Sequence, residues 1–273
     1  MLVHHSNLQS NNIGNEGFEL RFGQDIYLWN PAIQKFKALP NSSRHGNALC
    51  LAFGFFPRDN DYKVLKVFEG EERHKPAETE IYSLRANSWR MMQSVMPGKI
   101  SYSSLETIHN GVLHCCGYRE TGSHFILWVD MANEVFGEIK LPKCFCDQDD
   151  DDDKWSPLVD MFVKVSRKSL CLFFNDVSHG SMDVWVMKEY GVPESWTKQC
   201  SIGRPINSYA YPIGLMKNGE VVLKGYRGGG TYELLSYDQR VQEFKDIRIH
   251  GEPKFVKEFT HYMESLVLLN EGN

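Results

Sequence analysis

With 273 residues, 42% of them hydrophobic and 24% charged, the chain is long enough to bury a sizeable core and too apolar to stay disordered throughout. Its net charge of −5 and pI near 6.1 come without a basic stripe to neutralise phosphates, which argues against a nucleic-acid partner. No window approaches about 18 consecutive apolar residues, and the opening MLVHHSNLQSNN lacks the charged start and apolar run of a signal peptide, so neither membrane insertion nor secretion is expected.

The first sixteen residues are polar and rich in Asn and Ser, and read as a loose segment before a domain spanning 17–270. Residues 18–22, 26–29 and 35–39 read as the strands of a first unit, whose core is IYLWNPAIQKFKALP (26–40). Residues 48–56 (ALCLAFGFF), 61–68 (DYKVLKVF), 80–84 and 88–92 supply a second unit that ends in IYSLRANSWRMM. SYSSLETI, a turn at Asn110-Gly111, VLHCCGY and ILWVDMANEVFGEIKLP (126–142) form a third. Six aspartates among residues 147–153 repel one another and read as a solvated loop, since spaced oxygen ligands and a turn glycine for calcium are missing. Residues 159–165, 169–174 and the hairpin MDVWVMKEYGVPESWTKQCSI (182–202) make a fourth unit. A second Asn-Gly turn at 218–219 lies within a fifth, built from 209–216, 221–226, 233–237 and 243–249.

Each unit ends in a hairpin that pairs an apolar strand with an aromatic-led one across a polar turn. Asn30 to Phe36, Ser83 to Trp89, Asp130 to Phe136 and Asp238 to Phe244 are all six residues apart, whereas the fourth copy has a longer turn. The second-strand aromatics Phe36, Trp89, Phe136, Trp196 and Phe244 follow one another at 53, 47, 60 and 48 residues. Such a period fits an all-β, kelch-like β-propeller whose four-stranded blades bury their faces by stacking. About five blades are expected, with room for an irregular sixth. The strand FTHYMESLVLLN (259–270) has no hairpin of its own and is expected to close the ring on the strand-poor first blade.

Seven cysteines stand at 50, 115, 116, 144, 146, 171 and 200. Cys50, Cys115, Cys116 and Cys171 lie in apolar runs and read as reduced core residues, while Cys144 and Cys146 lack a second ligand pair for zinc. The histidines are scattered at 4, 5, 45, 74, 109, 114, 124, 179, 250 and 261, and Gly228-Gly229-Gly230 lacks the lysine of a phosphate loop. No catalytic residue, metal ligand or cofactor is therefore assigned. Trp29, Trp89, Trp128, Trp185 and Trp196 recur at matched positions and are expected to pack between blades. Loop residues outside the repeat pattern remain as candidates for contact with a partner protein: Arg73, His74, Arg119, Glu120, His179, Arg204, Tyr226 and Arg227.

DIYLWNPAIQKFKALP, FGFFPRDNDYKVLKV, EIYSLRANSWRMM, MDVWVMKEYGVPESWTK and YMESLVLLN, spread over 25–270, together resemble the successive signatures of the plant F-box-associated interaction domain. That family includes S-locus F-box-like proteins. The resemblance implies a substrate-recognition propeller of an SCF-type cullin-RING ubiquitin ligase, acting in the cytoplasm or nucleus. In such proteins an N-terminal F-box grips a Skp-type adaptor. Nothing before Asp25 matches the leucine-rich F-box pattern, so adaptor and cullin contact is expected only where the full-length protein carries one. The protein substrate is not named by the sequence. A propeller enzyme or a carbohydrate-binding module is the alternative, since fold does not assign function.

Overall fold

Four of the five hairpins are built around one turn. In each, an Asn, Ser or Asp ends the first strand and accepts hydrogen bonds from the turn's own backbone, the side-chain capping for which these residues are favoured. Asn30 Oδ1 takes the N–H of Ala32 at 3.1 Å, and Asp238 Oδ1 that of Arg240 at 3.0 Å. Asp130 Oδ1 takes those of Ala132 and Asn133 at 2.9 and 3.0 Å. Ser83 reaches only Ala86 N–H at 3.0 Å, and Asp61 on the neighbouring strand takes over, accepting from Arg85 N–H at 2.9 Å and from the Ser83 hydroxyl. Four residues after each cap the backbone turns left-handed, at Gln34, Asn87, Glu134 and Gln242, with φ between 52° and 57°. Two residues further on the aromatic stands directly across from the residue before the cap: Phe36 opposite Trp29, Trp89 opposite Tyr82, Phe136 opposite Val129, Phe244 opposite Tyr237. The six-residue spacing is therefore the length of one turn plus one cross-strand pair.

The structure is a computed structural model and describes residues 2–5, 8–12, 18–22, 25–30, 32–44, 48–68, 77–100, 107–109, 111–145, 161–166, 169–176, 180–203, 209–226 and 231–250. Among these the chain is all-β apart from two short 3-10 turns, at Lys143–Phe145 and Pro193–Ser195. The strands in chain order are β1 (Leu2–His5), β2 (Leu8–Asn12), β3 (Phe18–Phe22), β4 (Ile26–Asn30), β5 (Lys35–Ala38), β6 (Cys50–Phe56), β7 (Asp61–Phe68), β8 (Glu78–Ser83) and β9 (Ser88–Met91). They continue with β10 (Lys99–Ile100), β11 (Thr107–His109), β12 (Val112–Tyr118), β13 (His124–Asp130), β14 (Val135–Lys140), β15 (Met161–Ser166), β16 (Ser169–Asp176), β17 (Ser181–Met187) and β18 (Trp196–Gly203). The last are β19 (Tyr209–Leu215), β20 (Val221–Tyr226), β21 (Tyr232–Asp238) and β22 (Glu243–Asp246).

Strands β6–β9, β10–β14, β15–β18 and β19–β22 form four antiparallel blades in propeller-like succession, numbered here as the second to fifth sheets. Burial is deepest in the middle strands, with seven of the eight residues of β7 buried, whereas last strands such as β9 and β22 are largely exposed. Apolar clusters fill the spaces between sheets. Ile26, Leu28 and Leu39 of the first sheet region meet Val64 and Tyr82 of the second. Leu65, Val67 and Ile81 of the second meet Leu113, Cys115 and Leu127 of the third. Cys116, Ile126 and Ile139 of the third meet Val163, Leu170 and Leu172 of the fourth, and Cys171, Phe173 and Val184 of the fourth meet Val221, Leu223 and Leu235 of the fifth. Each buried aliphatic side chain contributes about 1.5–3 kcal/mol, so these interfaces carry most of the driving force for stacking. Polar ties add direction: Trp89 Nε1 donates to Pro40 O at 2.7 Å, Trp196 Nε1 to Lys140 O at 3.1 Å, and Lys63 Nζ to Met131 O at 2.8 Å.

Three expectations change at the N-terminus and in the third unit. Among the described residues the first sheet consists of β1, β4 and β5, in the order β1-β4-β5, and residues 18–22 pair with β2 in a separate hairpin instead of joining it. The segment read as loose thus contributes β1 and β2, because ladder hydrogen bonds are made by the backbone and a polar stretch can fill the open edge of β4. The inner strand of the third sheet is split, with β10 and β11 pairing opposite ends of β12. Trp29 is also not a core residue. It is 43% exposed because β4 turns Ile26 and Leu28 toward the second sheet and Trp29 away from it. Trp196 is buried as expected, and Trp89, Trp128 and Trp185 are half-buried. The aspartate block 147–153 and the strand expected at 259–270 lie outside the described residues. No helix among the described residues is long and apolar enough to cross a membrane.

Candidate interaction surface

Because adjacent strands run antiparallel, each blade has two unlike ends. One carries the tight turns described above and can be called the turn end. The opposite, loop end carries the connections between second and third strands. Arg119, Glu120 and Tyr226 all fall at the loop end, on the third and fifth sheets, while Arg73, His74, His179, Arg204 and Arg227 lie outside the described residues. The structure brings Arg119 and Glu120 together on one turn and sets Tyr226 two sheets away.

Residues 119–123 close β12 and β13 with Arg119 N–H donating to Ser123 O at 2.9 Å. The Arg119 guanidinium pairs with Glu138 and lies 4.7 Å over the Phe125 ring, and Glu120 pairs with Lys99 at 3.2 Å. Both side chains are half-exposed but tied to their own sheet, which fixes their position at little entropic cost on binding. Gly98 makes this approach possible. Its φ of +120° is open to glycine, and a Cβ there would collide with Tyr118 O and the Phe125 ring. Tyr118 and His124 face each other across the last rung at 6.1 Å, and burial holds the His124 pKa below its ordinary value against a hydrogen bond to the Gly122 backbone. The corresponding rung of the fifth sheet is Tyr226 against Tyr232, ring centroids 5.1 Å apart, with Tyr226 39% exposed. Behind it Lys224 Nζ sits 4.9 Å over Tyr232 and 6.0 Å over Tyr211. Burial lowers the Lys224 pKa and pushes the Tyr211 hydroxyl up to about 12, so the phenol stays protonated. The loop end thus presents exposed aromatic edges over fixed charges, a composition that protein interfaces favour.

Sequence reasoning missed a second polar group at the turn end. The longer turn of the fourth sheet reaches the third and sets the Tyr190 hydroxyl 2.8 Å from His114 Nε2, with the rings perpendicular. His114 is fully buried, and this contact gives its Nε2 a hydrogen-bond partner across the junction of the third and fourth sheets. Burial and then the nearby Asp130 carboxylate raise the Tyr190 pKa. Burial pushes the Asp130 carboxyl up, but hydrogen bonds from Asn133 and Ala132 and the charge of Arg58 outweigh it and leave the pKa below the ordinary range. The signal was present in the sequence as the one hairpin whose turn exceeded the common length. The group is closed on itself and offers no nucleophile. Burial likewise pushes the thiols of Cys116 and Cys171 up to about 12, far from the thiolate form. Among the described residues no three His, Cys, Asp or Glu side chains are placed to hold a metal ion.

Comparison with known proteins adds the family context. Residues 8–271 match the F-box associated beta propeller domain. Among curated proteins, F-box protein At3g07870 of Arabidopsis thaliana is 28% identical over 88% of this chain and 65% of its own length. F-box/kelch-repeat protein At3g23880 of Arabidopsis thaliana is 30% identical over 78% of this chain and 56% of its own length. F-box protein CPR1, also of Arabidopsis thaliana, is 27% identical over 84% and 60%. The chain therefore spans between about half and two thirds of the length of these relatives.

Proposed function

The chain belongs to the F-box-associated β-propeller family, and from that membership we propose that it is the substrate-recognition module of an SCF-type cullin-RING ubiquitin ligase. The observation that carries this reading is the family match across 8–271, which takes in every described blade. In the proposal the module binds a protein substrate and performs no chemistry itself. A Skp-type adaptor and cullin join through an F-box of the full-length protein, in the cytoplasm or nucleus. The half-exposed, pre-positioned loop end of the third and fifth sheets supports a binding role, because rigid aromatic and charged side chains lose little freedom when a partner docks.

The test is affinity capture from plant extract on the immobilised chain, followed by mass spectrometry. We expect a small set of captured proteins whose retention falls at least tenfold for a variant combining Arg119→Ala, Glu120→Ala and Tyr226→Ala. Capture should persist with Arg85→Ala, a substitution at the exposed turn end. Equal loss in both variants, or no specific capture by the wild type, would reject the loop end as the recognition surface.

A further inference from the structure

Residues 39–44 leave the end of β5 at the loop end and lie against the second sheet, fastened to it by side chains on either side. Trp89 Nε1 donates to Pro40 O, and the Arg44 guanidinium pairs with Glu78 and lies 5.6 Å from the centre of the Phe68 ring. Between these ties stands Ser43, an exposed residue in an irregular stretch, whose hydroxyl donates to Oε1 of Glu80. Glu80 is fully buried, and its Oε2 has no hydrogen-bond partner among the described residues. Its cross-strand neighbour Lys66, also buried, holds its ammonium 4.9 Å over Trp89 and 5.9 Å over Phe68. A buried carboxylate with one donor depends on what happens to that donor. Two other hydroxyls bond carboxylates, Ser83 to Asp61 and Ser201 to Asp183, but each of those pairs joins neighbouring strands of one sheet. Among the described residues it is Ser43 whose hydroxyl fastens the segment after one sheet to a buried carboxylate of the next.

We propose that Ser43 is a phosphorylation site and that a phosphoryl group there releases residues 39–44 from the second sheet. The donor is ATP and the catalyst a serine/threonine protein kinase. A bond forms from Ser43 Oγ to the γ-phosphorus as the bond from that phosphorus to the bridging oxygen breaks, ADP leaves, and the hydroxyl proton passes to the base of the kinase. The product lacks the proton that Glu80 accepted and carries about −1.5 to −2 charge at pH 7. That charge stands against the Glu80 carboxylate, which no solvent screens, and near Glu78. Arg44 is the next residue and already holds an acidic partner at the surface, so it exchanges Glu78 for the phosphate, the bidentate acceptor that a guanidinium favours. Both ties beside Pro40 and Arg44 then work against the segment staying down, and the junction of first and second sheets opens at the loop end. The inference stands whatever partner the loop end binds.

Two measurements on the full chain test it. The first incubates the chain with plant extract, ATP and phosphatase inhibitors and maps phosphate by peptide mass spectrometry, which should find it on Ser43. The second encodes phosphoserine at position 43 and follows the indole N–H signals of Trp89 and Trp196 by NMR. Exchange of the Trp89 N–H with solvent should speed up on the order of tenfold as its bond to Pro40 O is lost, while that of Trp196, bonded at another junction, stays as it was. Ser43→Ala removes the hydroxyl without adding charge and should change the Trp89 signal far less. Glu80→Gln, close to Glu in shape, removes the repelling charge and should blunt the effect of phosphoserine. Phosphoserine at position 201, beside Asp183, should leave Trp89 unchanged. No phosphate on Ser43 after incubation overturns the assignment of the site. Phosphoserine and alanine at position 43 behaving alike, or Trp196 responding as strongly as Trp89, overturns the release.

Discussion

Asp238 shows how one side chain sets both a turn and its pH range. Its carboxylate accepts from Arg240 Nη2 at 2.7 Å, Arg240 Nε at 3.0 Å and Arg240 N–H at 3.0 Å. The Arg240 side chain, then its backbone N–H, hold the Asp238 pKa at about 2, against about 3.9 for an unfolded Asp. A folded pKa below the unfolded one means that the stabilisation is present above the unfolded value and is lost as pH falls through the range toward 2. Asp238→Asn keeps an acceptor for the turn, as Asn30 does, but gives up the charge. Urea melts should therefore show wild type more stable than the variant at pH 6, with the gap narrowing toward pH 2 and shrinking in high salt because Arg240 is exposed. A gap that does not change with pH would refute the pairing. Trp196 makes a complementary case for packing. It is buried and donates to Lys140 O, so Trp196→Ala should cost about 3–5 kcal/mol, and Trp196→Phe only part of that. Denaturant melts of both decide the matter, and a loss below about 1 kcal/mol for alanine would place Trp196 outside the core.

At the level of the hairpin, the left-handed residue four places after the cap is the strained point. Gln242 has φ of 57° and is exposed, so Gln242→Gly removes a steric cost of about 1–2 kcal/mol at the expense of about 0.5–1 kcal/mol of chain entropy. The expected outcome is a small rise in melting temperature, and Gln242→Val, β-branched at positive φ, should lower it. Calorimetry that finds the valine variant as stable as glycine would remove the strain argument. These turns explain which parts of the fold could be read in advance. The cap, the left-handed residue and the facing aromatic are local in sequence, so the six-residue spacing announced four hairpins and their register. The first sheet could not be read in this way, because which segment fills the edge of β4 is settled by backbone hydrogen bonds that leave no side-chain pattern. Trp29 misled for a related reason: its place in the repeat is that of the buried Tyr82, Val129, Met187 and Tyr237, but burial depends on a neighbouring layer that its own hairpin does not encode.

For the whole molecule, the four apolar clusters predict where energetic coupling begins and ends. Ile126 and Leu172 share the cluster between third and fourth sheets, so Ile126→Val combined with Leu172→Ala should depart from additivity by about 0.5 kcal/mol or more. Ile126→Val combined with Ile202→Val, in the next cluster, should add within about 0.5 kcal/mol. Double-mutant cycles from urea melts test both, and strong coupling between the distant pair would show that the sheets do not behave as separate layers. The loop-end surface was legible only in outline. Loop composition pointed to Arg119, Glu120 and Tyr226, but the ion pairs and stacked rings that hold them join residues from different strands and appear only once the sheets are formed. The two indole ties have an optical consequence. Trp89 belongs to the junction of first and second sheets and Trp196 to that of third and fourth, each with its ring nitrogen bonded to a neighbouring carbonyl. Emission from a chain retaining only one of them would register the parting of a single junction, so a pair of such chains could time the separation of the sheets at two points along their succession.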